Sequence, residues 1–162
     1  MLNVYANGEI FYKVKGVTAK VSVVWNYQAP EGTGDTHYSI MRGTKANLVI
    51  RQGQEQQYKP ALYVEPLPGA DEMQFVSSLE KAVNNLKLRY PGLELKKVPA
   101  GWEVLIPDIY KVGHEAHFAE VTQRFLHYIK AGKLPDWEVP NMLAKYYIIS
   151  RAVEMANKQP SR

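Results

Sequence analysis

The chain has 162 residues, of which 46% are hydrophobic and 22% charged, the composition of a globular protein large enough for a real core. Its net charge of +4 weakly favours anionic partners, but the basic residues are scattered and no nucleic-acid-binding motif is present. The absence of cysteine excludes disulfides, thiolate metal sites and cysteine nucleophiles.

No apolar run approaches the roughly 20 residues that a membrane helix needs. The opening segment, MLNVYANGEIFYKVKG, has no basic lead or apolar core of a signal peptide and is itself strand-like. We therefore expect a cytoplasmic protein whose natural N-terminus lies upstream, with neither nucleic acid nor a membrane as a partner.

The first half of the chain is predicted to form strands. Asn7-Gly8 favours a hairpin turn, and apolar residues alternate along the following strand at Val17, Ala19, Val21, Val23, Trp25 and Tyr27. THYSIM and ANLVIRQ flank a second predicted turn, Arg42-Gly43-Thr44-Lys45, in which the glycine is expected to adopt a positive φ. In KPALYVEPL the prolines indicate a sheet edge or a strand end.

The second half is dominated by predicted helices. Asp71 and Gln74 have capping-box spacing, and Pro91-Gly92 ends the helix that follows. Two short strands, LELKKVP and GWEVLIP, come next. Two further helices have apolar stripes, one of Phe118, Val121, Phe125 and Ile129, the other of Met142, Tyr146, Ile149, Val153 and Ala156. This order predicts a single α+β domain over residues 1–162: a mainly antiparallel sheet with about three helices packed on one face.

Two motifs resemble parts of known binding sites, but each lacks residues that such a site requires. Gly32-Thr33-Gly34-Asp35 resembles the start of a dinucleotide fingerprint, yet it precedes a strand and lacks the third glycine, so we expect no nucleotide site there. His114 and His117 are spaced to share one helix face, so a metal pair is conceivable. No third ligand is evident, and a capping or packing role for both histidines is favoured.

The segment around Asp35, His37 and Arg42 is the strongest candidate site. Strand alternation places His37 and Arg42 on opposite faces, whereas Asp35 can lie beside His37. That pair could orient a hydroxylated or anionic substrate or act as an acid–base. Alternatively, Asp35 caps a loop and His37 is a polar residue on a half-exposed sheet. Trp25 fits a sheet core or an interface, and also a face that meets substrate.

Two longer stretches carry a family resemblance: WNYQAPEGTGDTHYSIMRGTKANLVIRQG, and GHEAHFAEVTQRFLHYIKAG through IISRAVEMA. Together, from about Gly16 to Ala156, the chain resembles the C-terminal domain of oxidoreductases of the glucose–fructose oxidoreductase, inositol dehydrogenase and MocA group. The resemblance implies an N-terminal Rossmann domain, outside this chain, that binds NAD or NADP. It also implies a large sheet of which one face closes a substrate pocket or forms a subunit interface.

The departures from that group are equally informative. The chain has no GxGxxG, no Glu-Lys-Pro segment and no clear copy of the Asp-to-His catalytic motif. We therefore expect a substrate-binding and oligomerisation domain for a sugar or polyol-like substrate, without cofactor or catalytic residues of its own. Its substrate-side residues would be Asp35, His37, Arg42 and Trp25, and a homo-oligomer would bury the uncovered sheet face.

The sequence also allows two other functions. The aromatic and polar sheet also suits a stand-alone carbohydrate-binding or scaffold domain. A self-contained hydrolase or isomerase using Asp35 and His37 is the third hypothesis.

Overall fold

A computed structural model describes residues 7–24 and 31–158, which form seven β-strands and three α-helices. The chain divides into two compact units. One consists of residues 1–28 and 115–162, and the other of residues 29–114.

The first unit contains a two-stranded hairpin. Strands β1 (Gly8–Val14) and β2 (Val17–Val23) are antiparallel, and Val14 pairs with Val17. The turn is Lys15-Gly16, whose φ angles of 48° and 82° give the left-handed pair that matches strand twist. The predicted turn at Asn7-Gly8 is wrong, because Gly8 is the first residue of β1.

Two helices of this unit, α2 (His114–Ala131) and α3 (Glu138–Lys158), confirm the predicted elements. Neither helix has a buried residue. The predicted stripe of α2 is between 58% and 65% exposed at Phe118, Val121, Phe125 and Ile129. Within the described residues, no helix is long and apolar enough to cross a membrane.

The second unit is built on a five-stranded antiparallel sheet of order β3-β4-β5-β7-β6. The strands are β3 (His37–Arg42), β4 (Ala46–Gln52), β5 (Ala61–Pro66), β6 (Glu94–Val98) and β7 (Gly101–Leu105). Since β5 is an interior strand, Pro66 marks a strand end rather than a sheet edge.

Helix α1 (Glu72–Lys87) packs on one face of this sheet. The Asp71 carboxylate caps it by accepting a 2.9 Å hydrogen bond from the backbone N–H of Gln74, as the sequence predicts. The ring of Phe75 lies 5.4 Å from that of Trp102, and the buried hydrophobic side chains of this unit are Val49, Val64, Val83, Leu93 and Trp102. The predicted α+β fold with antiparallel strands and three helices is thus confirmed, with the strands in two sheets.

Two glycines are required by close backbone approaches. A Cβ on Gly43 would lie 2.7 Å from the carbonyl oxygen of Ala46, which accepts the Gly43 N–H in the β3–β4 turn. The positive φ expected for Gly43 is wrong. Glycine is needed there because the Ala46 carbonyl leaves no room for a Cβ atom, and not because the backbone is left-handed. Gly101, with φ of 151°, would place a Cβ 2.3 Å from the carbonyl oxygen of Val64.

Candidate functional site

Strand register divides the five-stranded sheet into two chemically different faces. The face under α1 carries Leu62, Val64, Trp102 and other apolar side chains. The opposite face, here called the polar face, carries Arg42, Asn47, Arg51, Tyr63 and Glu65 on β3, β4 and β5. Val49, completely buried, lies among them.

An arginine spans the polar face along the strand direction. The guanidinium of Arg51 lies 5.0 Å from the centre of the Tyr63 ring, and its Nη2 donates a 2.6 Å hydrogen bond to Oε1 of Glu65. Gln56, from the loop after β4, donates a 3.2 Å hydrogen bond to the Tyr63 hydroxyl. The Arg51 and Glu65 side chains are 33% and 18% exposed, so this ion pair is partly shielded from water.

Three polar residues form a row across the polar face. Arg42 pairs directly with Asn47, and Asn47 pairs directly with Glu65, so their side chains project side by side. The Oδ1 atom of Asn47 is buried and has no hydrogen-bond partner among the described residues. A buried acceptor without a donor destabilises the fold unless water or a ligand satisfies it.

Asp35 and His37 lie at the other end of β3. The His37 ring makes a 3.3 Å hydrogen bond with the Ser39 hydroxyl, and the backbone carbonyl of Asp35 accepts one of 3.0 Å from the Gln52 amide. Both residues are exposed, and the ion pairs of the described region do not include one between them. Among the described residues, the two are therefore neighbours in sequence whose side chains form neither an ion pair nor a hydrogen bond with each other.

A shallow depression of about 310 Å³ adjoins His37. Its walls include Tyr38, Arg51 and Gln56, and its complete lining is Thr36, His37, Tyr38, Arg51, Gln52, Gly53 and Gln56. Tyr38 is 62% exposed, which leaves its ring available for stacking. The depression is therefore lined by polar residues, a glycine and one aromatic ring.

The structure separates His37 from Arg42. His37 pairs with Gln52, and Arg42 with Asn47, at opposite ends of the β3–β4 ladder and on opposite faces, as strand alternation predicts. Five residues of strand span about 17 Å at about 3.4 Å each. These two residues therefore belong to different places: His37 to the depression and Arg42 to the row.

The remaining candidates from the sequence are Trp25 and the histidine pair of α2. Trp25 lies outside the described residues. His114 and His117 are exposed in the first turn of α2. No group of three or more histidine, aspartate or glutamate side chains that could hold a metal occurs in the described part of the chain.

Sequence reasoning missed Asn47, Arg51, Tyr63 and Glu65. The signal was present in the alternation of ANLVIRQ and ALYVEP, where these four residues lie on the side of their strands opposite leucine, isoleucine and Val64, with Val49 as the apolar exception among them. Which polar residues become neighbours depends on strand order, and sequence alternation does not contain that information.

A helix-backed antiparallel sheet with arginine, amide, tyrosine and carboxylate groups on its other face suits an α+β domain that binds a ligand or a partner. The chain belongs to a protein family described as "Putative oxidoreductase C terminal domain", whose family model matches residues 1–157.

A solved structure supports the same assignment. The chain is 58% identical to a crystal structure titled "putative oxidoreductase" from Parabacteroides merdae, with a TM-score of 0.91 over 95% of this chain. The match spans 35% of that longer chain. Comparison with curated proteins gives no match.

Proposed function

We propose that this chain is the substrate-binding and oligomerisation domain of an NAD(P)-dependent oxidoreductase of the glucose–fructose oxidoreductase, inositol dehydrogenase and MocA group. An N-terminal Rossmann domain of the same protein would hold NAD or NADP. The observation that carries the proposal is that the chain matches about a third of a longer oxidoreductase chain, 35%, at 58% identity. On this proposal the chain alone does not transfer hydride.

The substrate would be a sugar or polyol-like molecule. The depression beside His37 offers amide, guanidinium and imidazole groups for hydroxyls and the exposed Tyr38 ring for stacking. Asp35, which precedes the depression in sequence without lining it, Arg42 in the row and Trp25 complete the proposed substrate-side residues. Because His37 and Arg42 face opposite sides of β3, a single small substrate would meet only one of them.

The partner-binding surface would lie on α2 and α3 rather than on the sheet. The sheet face without α1 is polar, whereas apolar residues of both helices are exposed, among them Phe118, Phe125, Tyr146 and Tyr147. Exposed apolar surface of this kind is typical of interfaces. The Rossmann domain or a second copy of the chain would cover it.

Binding and turnover of the isolated chain test this proposal. We expect calorimetry to show binding of at least one sugar or sugar acid, and nicotinamide fluorescence to show no reduction of NAD or NADP with that sugar. Turnover by the chain alone would contradict the proposal that hydride transfer requires the Rossmann domain. A gene without Rossmann-type coding sequence in frame upstream would overturn the two-domain assignment.

A stand-alone carbohydrate-binding or scaffold domain is the second candidate. The aromatic wall of Tyr38 and the polar face favour it, because both would serve a sugar equally well without a cofactor domain. The upstream gene sequence separates the two candidates, and sugar binding supports both.

A further inference from the structure

We propose that the row Arg42–Asn47–Glu65 is a binding site for a polyhydroxylated carboxylate, that is, a sugar acid. The carboxylate of the ligand would lie on Arg42, and its hydroxyl groups on Asn47 and Glu65. This inference rests on the proposed function, since it narrows the sugar-like substrate to an acidic one, and it places that ligand on the polar face.

The spacing of the row suits such a ligand. Arg42, Asn47 and Glu65 stand directly opposite one another on three adjacent strands. Opposed side chains in a sheet are about 5 Å apart at Cβ, so the row extends about 10 Å. A hexuronic acid, with a carboxylate at one end and hydroxyls along the ring, can meet all three residues at once.

Each residue of the row has unused hydrogen-bonding capacity. Arg42 is exposed and has no side-chain partner within the described region, so its planar fork is available for a bidentate contact with a carboxylate. Asn47 is half-buried, and only its Oδ1 atom is buried without a partner among the described residues, so the NH2 group is the part of this amide that can donate to a ligand hydroxyl. Glu65 uses Oε1 for Arg51, which leaves Oε2 as an acceptor for a second hydroxyl.

Arg51 acts as a positioning residue for this site. Its guanidinium fixes Glu65 by a 2.6 Å hydrogen bond and lies over Tyr63, whose hydroxyl is held by Gln56. This network offsets the charge of Glu65, so the carboxylate can accept ligand hydroxyls without repelling an acidic ligand strongly. Arg42 then supplies the uncompensated positive charge that selects an acid over a neutral sugar.

Calorimetry with the 162-residue chain tests the inference, with galacturonate, galactose and acetate as probes. We expect galacturonate to bind at least tenfold more tightly than galactose or acetate. Arg42→Ala should remove that preference, lowering galacturonate affinity about tenfold while leaving galactose unchanged. Asn47→Ala should weaken both sugars, because both place a hydroxyl on the amide. Arg42→Lys keeps the positive charge but loses the planar guanidinium, so its galacturonate affinity should lie between those of the unsubstituted chain and Arg42→Ala.

Lys45→Ala is the matched control, because it removes one positive charge from the same hairpin at an exposed turn position outside the row. It should leave galacturonate affinity unchanged. Equal losses of galacturonate affinity in Lys45→Ala and Arg42→Ala would show that only the net charge of the hairpin matters, and this would overturn the inference. Dissociation of an oligomer by Arg42→Ala, without a change in sugar binding, would make the row a subunit contact instead.

A second readout keeps the inference testable if Arg42→Ala does not fold. Galacturonate should shift the side-chain amide resonances of Asn47 in the unsubstituted chain. Shifts confined to His37 and Tyr38 would place the ligand in the depression, overturning the row while the proposed function stands. Binding of galactose but not galacturonate would likewise overturn the row as a sugar-acid site and leave the proposed function in place. Absence of binding by every sugar and sugar acid would remove both proposals.

Discussion

Arg51 and Glu65 are fourteen residues apart in sequence and form a 2.6 Å ion pair across neighbouring strands β4 and β5. The pair forms on the polar face, beside the completely buried Val49. Because both side chains are mostly shielded, neither charge can recover full hydration if its partner is removed. The polar face therefore depends on this contact for its geometry and for its stability.

The Arg51–Glu65 pair should be measurable by a double-mutant cycle. We expect Arg51→Ala and Glu65→Ala each to lower the free energy of unfolding by about 1–3 kcal/mol, with a coupling energy of about 1 kcal/mol. Urea denaturation followed by circular dichroism would give these values.

Lys96 and Glu103 provide the control for that cycle. They face each other on β6 and β7 at 3.7 Å, but the Lys96 side chain is 63% exposed. Their coupling should be no more than about 0.5 kcal/mol. Equal coupling energies for the two pairs would contradict the importance assigned to shielding.

Gly101→Ala should destabilise the sheet strongly. The new Cβ would lie 2.3 Å from the carbonyl oxygen of Val64, at a φ of 151° that side chains rarely adopt. Since the obstacle is backbone of the neighbouring strand β5, relief requires the strands to separate. We expect a loss of at least about 2 kcal/mol in the free energy of unfolding.

Gly8→Ala is the companion variant, because a Cβ there meets nothing within 4 Å. It should change the free energy of unfolding by less than about 1 kcal/mol. A stability loss at Gly8 as large as that at Gly101 would show that glycine flexibility in general, rather than strand contact, matters.

The β1–β2 hairpin should show a defined acid response. The Lys20 ammonium, 2.7 Å from the Glu9 carboxylate, lowers the pKa of that carboxyl below its usual 4.5. A carboxyl with a depressed folded-state pKa contributes stability above the unfolded value, and the contribution is lost as pH falls below about 4.5. Lys20→Ala should raise the pKa of Glu9, measured by carboxyl-carbon NMR titration.

Asp108 is the internal reference for that titration. Lys111 lowers the pKa of Asp108 below 3.8 through a hydrogen bond of 2.9 Å, and this contact does not involve Lys20. Lys20→Ala should therefore leave the Asp108 titration where it is. A parallel rise at Asp108 would indicate a change in net charge rather than a local contact at Glu9.

The exposed apolar surface of α2 predicts self-association of the isolated chain. Light scattering at micromolar concentration should give a mass of roughly twice the 18.4 kDa of one chain, or more. Replacing Phe118 and Phe125 with serine should reduce that mass, because both rings are more than half exposed on α2.

Met73→Ser on α1 tests whether any exposed apolar side chain has this effect. Met73 is 84% exposed and lies outside the α2 surface, so its replacement should leave the mass unchanged. A monomer for the unsubstituted chain at high protein concentration would contradict the oligomer prediction.

Most of the elements could be predicted from local patterns. The Asp71 cap, the β3–β4 hairpin and the alternation that separates His37 from Arg42 all follow from residues close together in sequence. The first hairpin turn was misplaced because Asn7-Gly8 and Lys15-Gly16 are both possible turns. Strand pairing, which is not local, selected Lys15-Gly16.

The candidate site depended on contacts that no local pattern contains. Asn47 became a neighbour of both Arg42 and Glu65 because β4 lies between β3 and β5. The predicted burial of the α2 stripe was likewise a tertiary question: periodicity identifies an apolar face, but only packing decides whether that face is covered.

The sequence by itself determined the α+β class, the order of strands and helices, and the side of the strand on which each β3 residue lies. These properties are local, because they follow from side-chain period, capping and turn chemistry. Only the tertiary structure decided that Arg51 lies over Tyr63 and reaches Glu65, and that the Oδ1 atom of Asn47 is buried without a donor among the described residues. The physical reason is that strand order and register bring distant residues together, and register is set by the packing of the whole sheet.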